Sequence, residues 1–182
     1  GAYAPAPVAD ASLLEEVRVK VLQPVIDGMK KEGTPFKGIL YAGLMVKGRD
    51  IKVVEFNVRF GDPETQVLLP LIDGKLGDLF KAAIEGKLTP ETMKFQKKHA
   101  ITVVVASGGY PGSYEKGKEV LGLDKVPSDI IVFHAGTEKK DGKVVTNGGR
   151  VLTVTAIADS LKEARDRVYK GLESISFDKG FF

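Results

Sequence analysis

Eight residues, Val53-Val54-Glu55-Phe56-Asn57-Val58-Arg59-Phe60, alternate apolar and polar side chains and run directly into Gly61-Asp62-Pro63-Glu64. Successive side chains of a strand point to opposite faces. The alternation therefore predicts a β-strand over 51–60 with Val54, Phe56, Val58 and Phe60 on one side and Glu55, Asn57 and Arg59 on the other. The apolar side suits a core. The polar side lines up a carboxylate, an amide and a guanidinium about 7 Å apart. Oxygen donors of this kind suit Mg²⁺ or Mn²⁺, and a guanidinium beside them suits the phosphate that such an ion accompanies. The wet face of an ordinary antiparallel sheet has the same pattern, so the alternation alone leaves both readings open. Beyond the strand, Asp62 fits an N-cap, Pro63 the first helical position and Glu64 the first turn. This predicts a helix over 63–69 whose N-terminal dipole favours anions.

The strand has a partner in 36–46, joined to it through Lys47-Gly48-Arg49-Asp50, so the two form a hairpin. Upstream, Ser12 and Glu15 have capping-box spacing, and Leu14, Val17, Val21, Leu22, Val25 and Met29 follow a helical period that Pro24 is expected to kink. A second helix is expected at 77–85. The stretch from Gly86 to Lys98 is polar and aperiodic, which places a domain boundary there and divides the chain into 1–97 and 98–182. The second part opens with the apolar run Ala100 to Ala106. Strands are expected near 130–136, 143–146 and 150–157, with Asp141-Gly142 as a hairpin turn. A capping box at Ser160 and Glu163 starts a last helix with Leu161, Ala164, Val168 and Leu172 on one face. The fold class is α+β.

Composition narrows the function. Twenty-seven basic against 24 acidic residues leave a formal charge of +3, and no basic stripe with interleaved aromatics is present, which argues against a nucleic-acid partner. No apolar run approaches the ~18 residues of a membrane span, and no signal-peptide pattern occurs. The absence of cysteine excludes disulfides, thiolate metal sites and cysteine nucleophiles, and fits a cytoplasmic location.

Two glycine-bearing loops in the second part allow either close backbone approach to a ligand or simple tight turns. These are Ser107-Gly108-Gly109-Tyr110-Pro111-Gly112 and Asn147-Gly148-Gly149-Arg150. Neither is a P-loop. Arg150 adds a planar cationic fork suited to phosphate. His99 and His134 lack the further histidines or cysteines of a zinc set, and Ser107 has no histidine placed by a recognisable motif.

The chain contains the long words Phe36-Lys-Gly-Ile-Leu-Tyr-Ala-Gly-Leu-Met-Val46 and Val54-Glu-Phe-Asn-Val-Arg-Phe-Gly-Asp-Pro-Glu-Thr-Gln-Val-Leu-Leu-Pro70, with Ser107 to Gly112, Tyr114 to Gly117, His134 to Thr137 and Thr146 to Leu152 following in order. In that order they resemble the C-terminal half of phosphoribosylamine-glycine ligase (glycinamide ribonucleotide synthetase), a purine-pathway family with the ATP-grasp fold. The resemblance implies the C-terminal half of an ATP-grasp domain (antiparallel sheet with helices) followed by a small mixed β-sheet/helix domain. It implies ligation of glycine to 5-phosphoribosylamine at the expense of ATP, with Glu55 and Asn57 as Mg²⁺ or Mn²⁺ ligands and Arg59 and Asp62 as catalytic residues. For the phosphoribosyl substrate it favours Arg150, with Gly148 and Gly149, and Lys116 more weakly. It also implies an N-terminal half upstream of Gly1, so the fragment alone is expected to be inactive. The alternatives are another ATP-grasp carboxylate-amine ligase and a non-catalytic binding module.

Overall fold

A computed structural model describes residues 1–182, which separate into two units. One, the sheet unit, comprises residues 1–4, 63–71 and 96–182; the other, the hairpin unit, comprises 5–62 and 72–95. The elements in chain order are β1 (Ala2–Ala4), α1 (Ala11–Val17), α2 (Gln23–Lys31), β2 (Tyr41–Lys47), β3 (Asp50–Asn57), α3 (Thr65–Leu68), β4 (Ile72–Asp73) and α4 (Leu76–Glu85). They continue as β5 (Lys94–Phe95), β6 (His99–Ala106), β7 (Ile130–His134), β8 (Thr137–Lys140), β9 (Lys143–Thr146), β10 (Arg150–Ala158) and α5 (Leu161–Leu172). No helix is long and apolar enough to cross a membrane.

The sheet unit is built on four antiparallel strands in the order β1-β6-β10-β7. Its core lies where α5 covers one face. Leu152, Val154 and Ala156 of β10 and Val168 and Leu172 of α5 share one cluster and are all at most 1% exposed. The helix is held at its start as the sequence predicts: Ser160 Oγ accepts from the amide of Glu163 at 3.2 Å. The reciprocal bond differs from a standard box, because Glu163 Oε2 accepts from the amide of Asp159 rather than that of Ser160. The opposite face carries Ala4, Val67, Leu71 and Ala100 as a second cluster, so α3 and the 3₁₀ turn at Leu69–Leu71 seal the far end of the sheet. Asp141 and Gly142 both take positive φ, 50° and 79°, as a tight two-residue hairpin requires. The hairpin joins β9 to β8, a strand at 137–140 that the composition of Thr137-Glu138-Lys139-Lys140 does not announce.

The hairpin unit has little core of its own. Of its apolar side chains only Leu13 and Val21 are buried. The N-cap of α1 is Asp10, not Ser12: its carboxylate accepts from the amide of Leu13 at 2.7 Å. Ahead of Pro24 the helix widens into a π-turn over Arg18–Leu22, in which the Gln23 amide donates to Arg18 O, five residues back. Proline has no N–H to continue the i→i−4 ladder, and the widened turn absorbs that break. Strands β2 and β3 form a two-stranded sheet closed by Gly48 and Arg49. The apolar face expected to enter a core is open: Val54 is 65% and Val58 69% exposed. A two-stranded ribbon has too little partner surface to bury its own apolar side.

Candidate functional site

The strand that carries Glu55 and Asn57 ends at Asn57, so Arg59 lies in the bend that follows it. There the Arg59 guanidinium donates to the carbonyl of Phe60 at 3.0 Å. The expected helix start also moves. Asp62, Pro63 and Glu64 form a turn, and the N-cap position of α3 falls on Glu64 with no side-chain capping bond.

Glu55 and Asn57 do share a face. Asn57 Nδ2 donates to Glu55 Oε1 at 2.8 Å, which brings a carboxylate and a carboxamide head together. Immediately before them the register shifts: Gly43 pairs with Glu55 and Leu44 with Val53, leaving Val54 as the extra residue of a β-bulge. Bulges re-aim neighbouring side chains, and this one interrupts the alternation between Val53 and Glu55. Gly43 leaves room for the carboxylate stem. A Cβ there would stand 3.2 Å from Glu55 Cγ.

This donor set suits one kind of metal binding. It offers hard oxygens from two residues, and no group of three or more histidine, cysteine, aspartate or glutamate side chains forms a self-sufficient cage. Such a pair fits a small divalent cation that keeps waters and takes its remaining ligands from a nucleotide's phosphates. Glu55 is exposed and Asn57 half-buried.

The second set of candidates lies in the sheet unit, at the β9-to-β10 connection. Gly149 is buried, and Gly148 and Arg150 are half-buried. The glycines are required by packing. A Cβ on Gly149 would collide with the Tyr110 ring, and one on Gly148 would come within 2.8 Å of Gly136 Cα. Lys116 is exposed on the loop after Gly112. Its neighbour Lys118, which sequence reasoning passes over, lines a cavity of about 360 Å³ together with Ser107, Gly108, Tyr114, Glu115 and Asp178. Lys118 is paired with Glu115 at 2.8 Å and Asp178 at 3.0 Å, and these bonds hold both carboxyls below their ordinary range and the ammonium above its own. The signal for Lys118 is nonlocal, since Asp178 is remote in sequence.

Comparison with known proteins places the chain in a family. A sequence model described as phosphoribosylglycinamide synthetase, ATP-grasp (A) domain, matches residues 1–65, and one described as phosphoribosylglycinamide synthetase, C domain, matches residues 100–182. A phosphoribosylamine–glycine ligase of Caldanaerobacter subterraneus subsp. tengcongensis is 49% identical over 178 residues, covering 98% of this chain and 42% of its own length. The crystal structure of phosphoribosylamine–glycine ligase from Thermotoga maritima superposes with a TM-score of 0.81 at 35% identity, over 98% of this chain and 44% of that one. A biotin carboxylase from Campylobacter jejuni shares the fold alone, with a TM-score of 0.66 at 16% identity, over 98% of this chain and 39% of that one. The chain thus spans about two-fifths of the length of these proteins. Matched by the two models in succession, the chain belongs to the phosphoribosylglycinamide synthetase family, with ATP-grasp sequence leading into the C domain.

Proposed function

We propose that this chain is the C-terminal part of a cytoplasmic enzyme that joins glycine to 5-phosphoribosylamine, forming glycinamide ribonucleotide, ADP and phosphate. The functional boundary is proposed at 97/98, and an upstream half supplies the rest of the nucleotide grip. The adjoining carboxylate of Glu55 and carboxamide of Asn57, within the segment matched by the ATP-grasp domain model, carry the reading.

A carboxylate resists nucleophiles because its charge repels them and it lacks a leaving group. Transfer of the γ-phosphoryl of ATP to the glycine carboxylate makes an acyl phosphate. The amine of phosphoribosylamine then attacks the acyl carbon, the carbon–oxygen bond to phosphate breaks, phosphate departs with that electron pair, and the nitrogen gives up one proton to the departing phosphate or solvent. Both steps need neutralised charge and exclusion of water. Glu55 and Asn57 would hold Mg²⁺ or Mn²⁺, which would supply charge neutralisation at the terminal phosphates. Arg59 exchanges its local carbonyl partner for the transferring phosphoryl group or the glycine carboxylate. Asp62 positions the attacking amine or holds Arg59. Arg150 grips the phosphate of phosphoribosylamine from the Gly148-Gly149 strap, and Lys116 adds positive charge from the neighbouring loop.

The test is a substrate panel with the complete enzyme. Glycine and phosphoribosylamine are expected to support ATP turnover that requires a divalent cation. Turnover with other carboxylate-amine pairs but not this one would overturn the reading.

A further inference from the structure

We propose that Ser107 is a positioning residue for Arg150, acting through the Gly148-Gly149 strap. This rests on the phosphate-binding reading of Arg150. Ser107 follows β6 directly and is 3% exposed. Its hydroxyl donates to Gly148 O at 2.9 Å and its amide to Gly149 O at 2.8 Å, so both of its donors are spent on the two residues that precede Arg150. Engaged in this way, Ser107 has no donor left to offer a ligand. A serine whose only task was packing would be served equally well by alanine, which leaves Gly148 O without this partner.

The strap is held on its other sides as well. Gly148 backs onto Gly136, whose amide donates to Arg150 O at 2.9 Å. The ring of Tyr110, whose amide in turn donates to Ser107 O at 3.0 Å, lies where a Cβ of Gly149 would stand. Ser107 therefore commits both of its donors to the backbone that launches Arg150, and the Tyr110 amide holds Ser107 in turn. A guanidinium whose base is already fixed loses less freedom when it meets an anion, which raises affinity without adding a contact.

The experiment titrates the complete enzyme with glycinamide ribonucleotide by calorimetry and measures steady-state kinetics with phosphoribosylamine. Ser107→Ala is expected to weaken ribonucleotide affinity about tenfold, as loss of one oriented buried hydrogen bond implies, and to raise KM for phosphoribosylamine while kcat and ATP affinity hold. In an Arg150→Ala background the same substitution should add nothing, because its effect passes through the guanidinium. Tyr110→Ala should reproduce the split, and it decides the matter if Ser107→Ala fails to fold. Normal affinity in these variants, or effects that multiply with Arg150→Ala, would overturn the positioning role alone. Normal affinity in Arg150→Ala would instead overturn the phosphate reading on which it rests.

Discussion

The side chain of Glu55 lies across the bare Cα of Gly43, its register partner, and a Cβ at position 43 would stand 3.2 Å from Glu55 Cγ. That is tighter than an ordinary contact, so Gly43→Ala must push the carboxylate aside. In the complete enzyme, a titration of activity against Mg²⁺ should show half-saturation at a concentration roughly threefold to tenfold higher, the scale of about 1 kcal/mol of misplacement. Glu55→Gln removes the charge itself and should lower turnover by about two orders of magnitude with circular dichroism unchanged. Near-normal rates at low Mg²⁺ in both variants would remove Glu55 from the metal site.

Arg150→Ala should leave the glycine and ATP constants in place and raise KM for phosphoribosylamine about tenfold to a hundredfold. A charge-assisted hydrogen bond to phosphate contributes about 1.5–3 kcal/mol. An unchanged KM would reduce Arg150 to a structural residue.

Thr153 is 2% exposed and its hydroxyl has no hydrogen-bond partner, whereas the neighbouring Thr155 donates to Thr102 Oγ1 at 2.7 Å. Valine has nearly the shape of threonine without the polar group. Thr153→Val should therefore stabilise the protein by about 1 kcal/mol, and Thr155→Val should cost a similar amount by removing a satisfied bond. Denaturant melts that rank the two variants the other way would refute this assignment of partners.

Asp10 is held below the ordinary aspartate range, first by the Leu13 amide at the start of α1 and then by Arg49. A carboxyl lowered in the folded state contributes stability that is fully present above its unfolded value of 3.8 and is lost as pH falls through the folded one. Amide exchange at Leu13 should accelerate as the solution is acidified below about pH 4, relative to the intrinsic rate. In Asp10→Asn that pH dependence should vanish, because the side-chain oxygen still caps the helix but no longer titrates. Equal acid sensitivity in the two proteins would show that another group governs this end.

Much of the sheet unit was legible locally. The Ser160–Glu163 spacing marked the start of α5, the apolar run at 100–106 became β6, and Asp141-Gly142 turned a hairpin. Each rests on residues a few positions apart, where period and turn chemistry act directly. The start of α1 is ambiguous in the sequence because two nearby residues, Asp10 and Ser12, qualify as caps. The one that caps, Asp10, also meets Arg49, 39 residues on, which no local window contains. Strand β8 is not legible for a related reason: Thr137-Glu138-Lys139-Lys140 is polar throughout and is a strand only because β9 pairs with it.

From side-chain order alone followed the α+β class, the family words, and the placing of Glu55 and Asn57 on one face of a ribbon, because a strand's alternation is a property of its backbone. Tertiary structure decided the rest. The bulge at Val54 and the early end of β3 before Arg59 depend on how β3 registers against β2, and the pinning of Gly148-Gly149 by Ser107 joins segments 41 residues apart. Those pairings depend on which backbone groups find partners in space, and that is settled only when the chain closes on itself.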